Sequence, residues 1–182
     1  PDCSDYSCFG FGANDTEACS GKGMCVAADA CICRPSYTGP ECGERVSGYV
    51  FALGADNVGQ LGDGYTFTQT IPTAVLGILS GRAISSVASG TDFSVAVTKD
   101  GTLIGWGTNS NGQLGTGDNL QKALPTEAVG LHGVKIQSVC AGQAHTAAVD
   151  SDGRVWTMGD NYYGQLGTGD YTFTDSYVPV RV

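Results

Sequence analysis

The clearest hydrophobic pattern lies mid-chain, where Ile84 to Ala88, Phe93 to Thr98 and Leu103 to Gly107 form three short runs rich in β-branched residues. Ser89-Gly90-Thr91 and Lys99-Asp100-Gly101 separate them, and Asp-Gly between two such runs is a strong hairpin signal. The pattern predicts three antiparallel strands. A fourth, edge-like strand is expected through Pro125 to Val129, because proline is tolerated where no ladder donor is needed.

This pattern repeats. The four-residue motif Gly-Gln-Leu-Gly occurs at Gly59-Gln60-Leu61-Gly62, Gly112-Gln113-Leu114-Gly115 and Gly164-Gln165-Leu166-Gly167, with spacings of 53 and 52 residues. Gly54, Gly107 and Gly159 lie five residues ahead of each copy. Gly48, Gly101 and Gly153 precede a short run, and Pro72, Pro125 and Pro179 follow the loop. Four antiparallel strands per ~50 residues make one blade of a β-propeller. Repeats are expected at about 46–83, 84–134 and 135–182, material for about two and a half blades.

Ile136-Gln-Ser-Val-Cys-Ala-Gly-Gln-Ala-His-Thr, Asp152-Gly153-Arg-Val-Trp156 and Met158-Gly159-Asp-Asn, leading into Gly164-Gln-Leu-Gly-Thr-Gly, are similar to the regulator-of-chromosome-condensation repeat, and Trp106-Gly107-Thr-Asn with Gly112-Gln-Leu-Gly-Thr-Gly matches as closely. The departures are Phe93 where the last copy has His145, and Leu53 and Met158 where the middle copy has Trp106. This resemblance implies a normally seven-bladed propeller. Repeats cannot bury their apolar faces alone, so either further repeats follow Val182 or blades of adjacent copies stack on one another.

Cysteine usage divides the chain. Cys3, Cys8, Cys19, Cys25, Cys31, Cys33 and Cys42 fall in the first 42 residues, and the rest holds Cys140 alone. Such density in a segment too short for its own core marks a stapled scaffold of an oxidising compartment, where each bridge contributes ~2–4 kcal/mol. The expected domains are 1–44 and 45–182, with an extracellular or cell-surface location. Asn14-Asp15-Thr16 is a sequon for N-linked glycan in that compartment.

From Cys19 the chain reads CSGKGMCVAADACICRPSYTGPEC, which resembles an epidermal-growth-factor-like module over Cys8 to Cys42. The marks are C-S-G-x-G-x-C, the pair Cys31-Ile32-Cys33 and the ending Tyr37-Thr38-Gly39-Pro40-Glu41-Cys42; Ser36 stands where such modules usually carry glycine. Six cysteines permit 15 pairings. The resemblance implies Cys8 with Cys25, Cys19 with Cys31, and Cys33 with Cys42. Many such modules bind calcium through an acidic cluster ahead of the first cysteine, but Ser4-Asp5-Tyr6-Ser7 offers one carboxylate, so no metal is expected. Cys3 then has three routes: Cys140, a preceding module, or another chain. The apolar run Val139-Cys140-Ala141 predicts a buried strand thiol for Cys140.

Charge excludes one partner class. Two basic residues face seven acidic ones in the first 44 positions, and seven face eleven in the rest, for a net −9. No Lys or Arg run is available to release counterions from a nucleic acid. There is also no apolar stretch of ~20 residues to span a bilayer and no signal segment, so with Pro1 at its start the chain reads as a mature product or an excerpt.

The sequence offers no nucleophile with a base and no converging pair of carboxylates at informative spacing. The glycine motifs lack a Gly-x-x-x-x-Gly-Lys-Ser/Thr run and read as tight turns with a leucine plug between blades. Asp63, Asp118 and Asp170 are single carboxylates one blade apart and read as turn formers. His145 lies in the repeat pattern and His132 in the Gly130-Leu-His-Gly133 turn, neither with a partner at informative spacing. No enzyme activity, cofactor or zinc site is therefore expected. Tyr65, Phe67, Tyr162, Tyr163, Tyr171, Phe173 and Tyr177 cluster in or near long loops. Tyr162 to Tyr177 is the candidate protein-contact surface, its rival reading being packing onto a neighbouring blade.

The expected function is that of a non-catalytic extracellular structural or adhesion protein, part of a larger surface or filament-forming assembly, whose partners are proteins including copies of itself. A soluble secreted binder or inhibitor is the alternative. Nucleotide exchange on a small GTPase, which the repeat resemblance suggests, conflicts with disulfides and acidity.

Overall fold

The computed structural model describes residues 50–169 and 174–182 in full and, ahead of them, the backbone of six short strands. The chain divides into two compact units, Pro1–Ser47 and Gly48–Val182.

In the first unit β1 (Ser7–Cys8) pairs with β2 (Phe11–Gly12), β3 (Gly23–Ala27) with β4 (Ala30–Cys33), and β5 (Tyr37–Thr38) with β6 (Glu44–Arg45), all antiparallel. The β3–β4 register sets Cys25 opposite Cys31. The expected bridges, the fate of Cys3 and the glycan at Asn14 lie outside the described residues, as do Asp170, Tyr171 and Phe173.

The second unit is built of antiparallel sheets. β7 (Phe51–Gly54) pairs with β8 (Gln69–Ala74). β9 (Ile84–Ser89), β10 (Phe93–Thr98), β11 (Leu103–Gly107) and β12 (Lys122–Glu127) form a four-stranded meander. β13 (Ile136–Ala141), β14 (His145–Asp150), β15 (Val155–Gly159) and β16 (Ser176–Arg181) repeat it. The fold is all-β, a partial propeller of blade-like sheets.

The strands expected at Ile84, Phe93 and Leu103 begin at those residues. The fourth begins at Lys122 rather than Pro125 and ends at Glu127 rather than Val129. The cause is a bulge: Lys122 sits opposite Gly107 and Thr126 opposite Gly105, so the pairing starts earlier than the apolar pattern suggests. Val129 has already left the ladder, its amide donating to the Gly115 carbonyl at 2.9 Å. Proline occupies the same place in all three outer strands, QTIPTA, KALPTE and SYVPVR. A missing N–H there discourages edge-to-edge pairing.

Strand alternation places the core between sheets. Phe93, Val95 and Val97 point from β10 toward the third repeat, where they pack with Leu103, Leu114, Ile136, Ala148 and Met158. Ala96, between them in sequence, joins Ile104, Trp106, Val75 and Leu79 on the side of the first repeat. A central blade is thus buried on both faces. At ~1.5–3 kcal/mol for each large apolar side chain, these two layers are the main force joining the repeats.

Cys140 corrects an expectation. Its thiol is free and exposed, not buried. Val139 and Ala141 pack against the core between the second and third sheets, so a strand of period two turns Cys140 to the opposite face.

Candidate functional site

The three Gly-Gln-Leu-Gly motifs occupy equivalent loops, after β7, β11 and β15. Each loop closes on itself first. The motif's leucine amide donates to a side-chain oxygen five residues back: Leu61 to Asp56 at 3.1 Å, Leu114 to Asn109 at 3.0 Å and Leu166 to Asn161 at 3.1 Å. The glutamine Oε1 accepts the amide two residues back, Val58, Asn111 or Tyr163, at 3.0, 3.1 and 2.8 Å. With its donors satisfied locally, the loop presents a leucine that is at most 5 % exposed in every copy.

The first two loops then bind the next blade. The Gln60 carbonyl accepts from Ser94 Oγ at 3.0 Å and Trp106 Nε1 at 2.9 Å, both in the second repeat. The Gln113 carbonyl accepts from Thr146 Oγ1 in the third repeat at 2.7 Å. Glycine is required by close approach: at Gly112, φ +81°, a Cβ would come 2.5 Å from the Tyr177 Cα and 2.8 Å from the Ser176 carbonyl oxygen. Asn111 adds a bond to Asp175 at 2.8 Å. These loops are junctions between repeats.

The third loop differs. Gly164 and Gln165 are half-buried and Gly167 is exposed, whereas all four residues of the second motif are buried. Where the first two loops carry Asn57-Val58 and Ser110-Asn111, this one carries Tyr162 and Tyr163, 70 % and 83 % exposed. Their rings meet edge to face at 4.8 Å and 87°. The amides of both are held, Tyr162 by Asp160 Oδ1 and Tyr163 by Gln165 Oε1. Tyr177 separates from this pair, its ring lying over Gly112 of the preceding repeat. A second aromatic pair, Tyr65 and Phe67, is exposed on the first repeat with centroids 6.4 Å apart.

Charged groups in the loops and hairpins serve turns. Asp63 and Asp118 accept the amides of Tyr65 and Leu120, two residues on. Hydrogen bonding from Lys122 holds the Asp118 carboxyl below the usual carboxylate range. Donation from the Thr98 hydroxyl, then from Arg82, holds Asp100 down to about 2. The Trp156 indole does the same in kind for Asp150, lowering its pKa. His145 sits in β14 against Gly142, and His132 is exposed. Among the described residues no three His, Cys, Asp or Glu side chains are placed to share a metal, and no helix is long and apolar enough to cross a membrane. A cleft of about 450 Å³ beside β7 is lined by Val50, Leu53, Val87, Phe93 and Trp106, with Asp92 the charged residue in its wall.

Family comparison fits this arrangement of loops and sheets. The model of the regulator of chromosome condensation (RCC1) repeat matches residues 47–97, 100–149 and 152–182. The chain belongs to the RCC1 repeat family. An EGF-like domain model matches residues 13–42 ahead of these repeats. Human E3 ubiquitin-protein ligase HERC2 is 37 % identical over 128 residues, covering 68 % of this chain and 3 % of that protein. The ultraviolet-B receptor UVR8 of Arabidopsis thaliana is 38 % identical over 137 residues, covering 75 % of this chain and 30 % of the receptor. The chain thus spans less than a third of either relative. Among solved structures, yeast RCC1 (Prp20) bound to Kap60 superposes with a TM-score of 0.62 at 25 % identity, over 78 % of this chain and 38 % of that one. The Saccharomyces cerevisiae Prp20p structure gives 0.58 at 25 % identity, over 78 % and 39 %.

The sequence pattern singled out the motifs and the aromatic residues. It included Asn109 and Asn161 in the repeat match but gave no role to the column Asp56, Asn109, Asn161, which organises each loop. The signal was present, five residues ahead of each leucine, as two amides and one acid.

Proposed function

We propose that this chain is a non-catalytic protein-binding segment of an extracellular surface or filament-forming protein, with the EGF-like module as a stapled spacer and the RCC1 repeats as the contact surface. The observation that carries the reading is the exposed Tyr162–Tyr163 pair, on the one motif loop whose two counterparts are covered by another repeat. Tyrosine buries large area at low entropic cost, and an exposed aromatic cluster on a rigid loop is suited to association. The extracellular assignment rests on seven cysteines in 42 residues together with the EGF-like match. Protein binding is also what the solved relatives are described by: yeast RCC1 with Kap60, and Prp20p with Gsp1p and histones.

The test uses the native protein from its source. Native extracts imaged by electron microscopy and fractionated by mass are expected to hold it in high-mass assemblies, and a Tyr162→Ser/Tyr163→Ser double variant is expected to stay out of them. A freely diffusing monomer with no partner after cross-linking sinks the reading. One stoichiometric soluble partner replaces it with a secreted binder or inhibitor.

A further inference from the structure

The first loop contains an electrostatic arrangement that the second resolves differently. In the second, Asn109 Nδ2 donates to Thr116 Oγ1 at 3.0 Å, to the Asp118 carbonyl at 2.9 Å and to Asp118 Oδ1 at 3.1 Å. This amide nitrogen is a donor enclosed by acceptors. At the equivalent place in the first loop stands Asp56, fully buried, whose Oδ1 accepts the Leu61 amide while Oδ2 has no partner. Where Thr116 stood is Asp63, 2 % exposed, with its two oxygens already accepting from the Tyr65 amide and Gln69 Nε2. Lys122, which neutralises Asp118 at 2.7 Å, is replaced by Gln69. Two buried carboxylates act on each other, and among the described residues neither is paired with a cation. Ionising both is costly, and two acceptors cannot bond without a proton between them.

We propose that Asp56 is held as a neutral carboxylic acid whose Oδ2–H donates to the Asp63 carboxylate, so that it takes the place of an asparagine amide and makes the junction between the first and second repeats acid-stabilised. Asp63 is the ionisable group that faces Asp56 among the described residues; Leu61 and Gln60 of the same loop, Gln69 of β8, Trp106 of β11 and Ala123 of β12 carry no charge. Burial foremost, opposed by the Leu61 amide and reinforced by the Asp63 charge, pushes the Asp56 carboxyl above the usual aspartate range. A raised folded-state value means the folded chain keeps a proton that the unfolded chain has lost. Stability therefore falls as pH rises from the ordinary aspartate value through the raised one. The effect reaches the neighbouring blade, because Asp56 holds the Leu61 amide and the adjacent Gln60 carbonyl receives Trp106 and Ser94.

The experiment is a pH titration of side-chain carboxyl ¹³C signals in the full chain, with Asp56 assigned by its loss in Asp56→Asn, together with denaturant unfolding of both proteins at pH 5 and pH 8. Asp56 is expected to titrate last among the aspartates. Asp56→Asn is expected to unfold at higher denaturant than wild type at pH 8, with the gap shrinking at pH 5. Titration of Asp56 within or below the ordinary range overturns the proposal, as does a gap independent of pH. Calcium is the third arm: if calcium chloride at pH 8 stabilises wild type but not Asp56→Asn, the site holds a cation rather than a proton and the proposal fails.

Discussion

The junction between the first and second repeats and the junction between the second and third share a backbone and differ in charge. In both, a Gly-Gln-Leu-Gly loop offers its glutamine carbonyl to the next blade, through Trp106 and Ser94 in one and Thr146 in the other. Inside the loops the logic diverges. The second centres on the Asn109 amide and an Asp118–Lys122 pair, the first on two acids, Asp56 and Asp63. Backbone hydrogen bonding fixes the loop's shape whichever side chain fills the centre. The side chains decide the conditions under which that shape is stable.

The comparison breaks most severely at the shared backbone. Gly112→Ala drives a Cβ to 2.5 Å from the Tyr177 Cα at φ +81°, while Gly130→Ala meets nothing within 4 Å at φ +76°. Left-handed strain alone costs about 1–2 kcal/mol, so Gly130→Ala isolates it. Gly112→Ala adds backbone overlap and is expected to cost about 3 kcal/mol or more. Urea unfolding of both variants checks this, and equal losses would show that Gly112 is there for conformation alone.

The next effect comes from transplanting the first junction's chemistry into the second. Asn109→Asp removes a donor that makes three hydrogen bonds and turns a carboxyl toward Asp118. A loss of about 2 kcal/mol is expected at pH 8, shrinking at pH 5 where the new acid can take up a proton. Denaturant midpoints at the two pH values measure it. A loss that is the same at both would mean the hydrogen-bond geometry, not the charge, sets the cost.

Smaller effects follow from three aspartates whose sign opposes that of Asp56. Asp100, held to about 2 by Thr98 and Arg82, has a folded value below its unfolded one, and Asp118 and Asp150 are lowered by Lys122 and Trp156. Such groups contribute stability above the ordinary aspartate value and lose it as pH falls through the folded value. All three lie in the second and third repeats. Amide hydrogen exchange, corrected for its intrinsic pH dependence, is expected to show those repeats loosening below about pH 4 while the loop at Leu61 does not. Uniform loosening would erase the contrast between junctions.

What the sequence made legible was whatever is written locally. Asp-Gly turns and β-branched runs located β9 to β11, and the repeated motif located the loops. The start of β12 was not legible, because a bulge opposite Gly107 sets it. The orientation of Cys140 was misread because a continuous apolar run hides a period of two: Val139 and Ala141 pack inward while the thiol faces out. The Asp56–Asp63 pairing was illegible for a different reason. The two acids lie seven positions apart and look like ordinary turn formers, and it takes the folded loop to bury both at once.

The weakest expected effect on stability is at the third loop, and that weakness is the informative part. Tyr162 and Tyr163 contribute backbone amides to the loop, accepted by Asp160 and Gln165, while their rings stay largely in solvent. Alanine at both positions retains those amides and loses an exposed edge-to-face pair, for a change of about 0.5 kcal/mol or less. The equivalent positions of the second loop, Ser110 and Asn111, behave otherwise, since Asn111 Nδ2 bonds Asp175 across the junction. Asn111→Ala should therefore destabilise more than the double tyrosine change, although it removes far less surface. Denaturant unfolding decides the order. If the tyrosine pair proves the costlier, those rings are part of the fold's own packing, and the contact surface must be sought on the Tyr65–Phe67 pair instead.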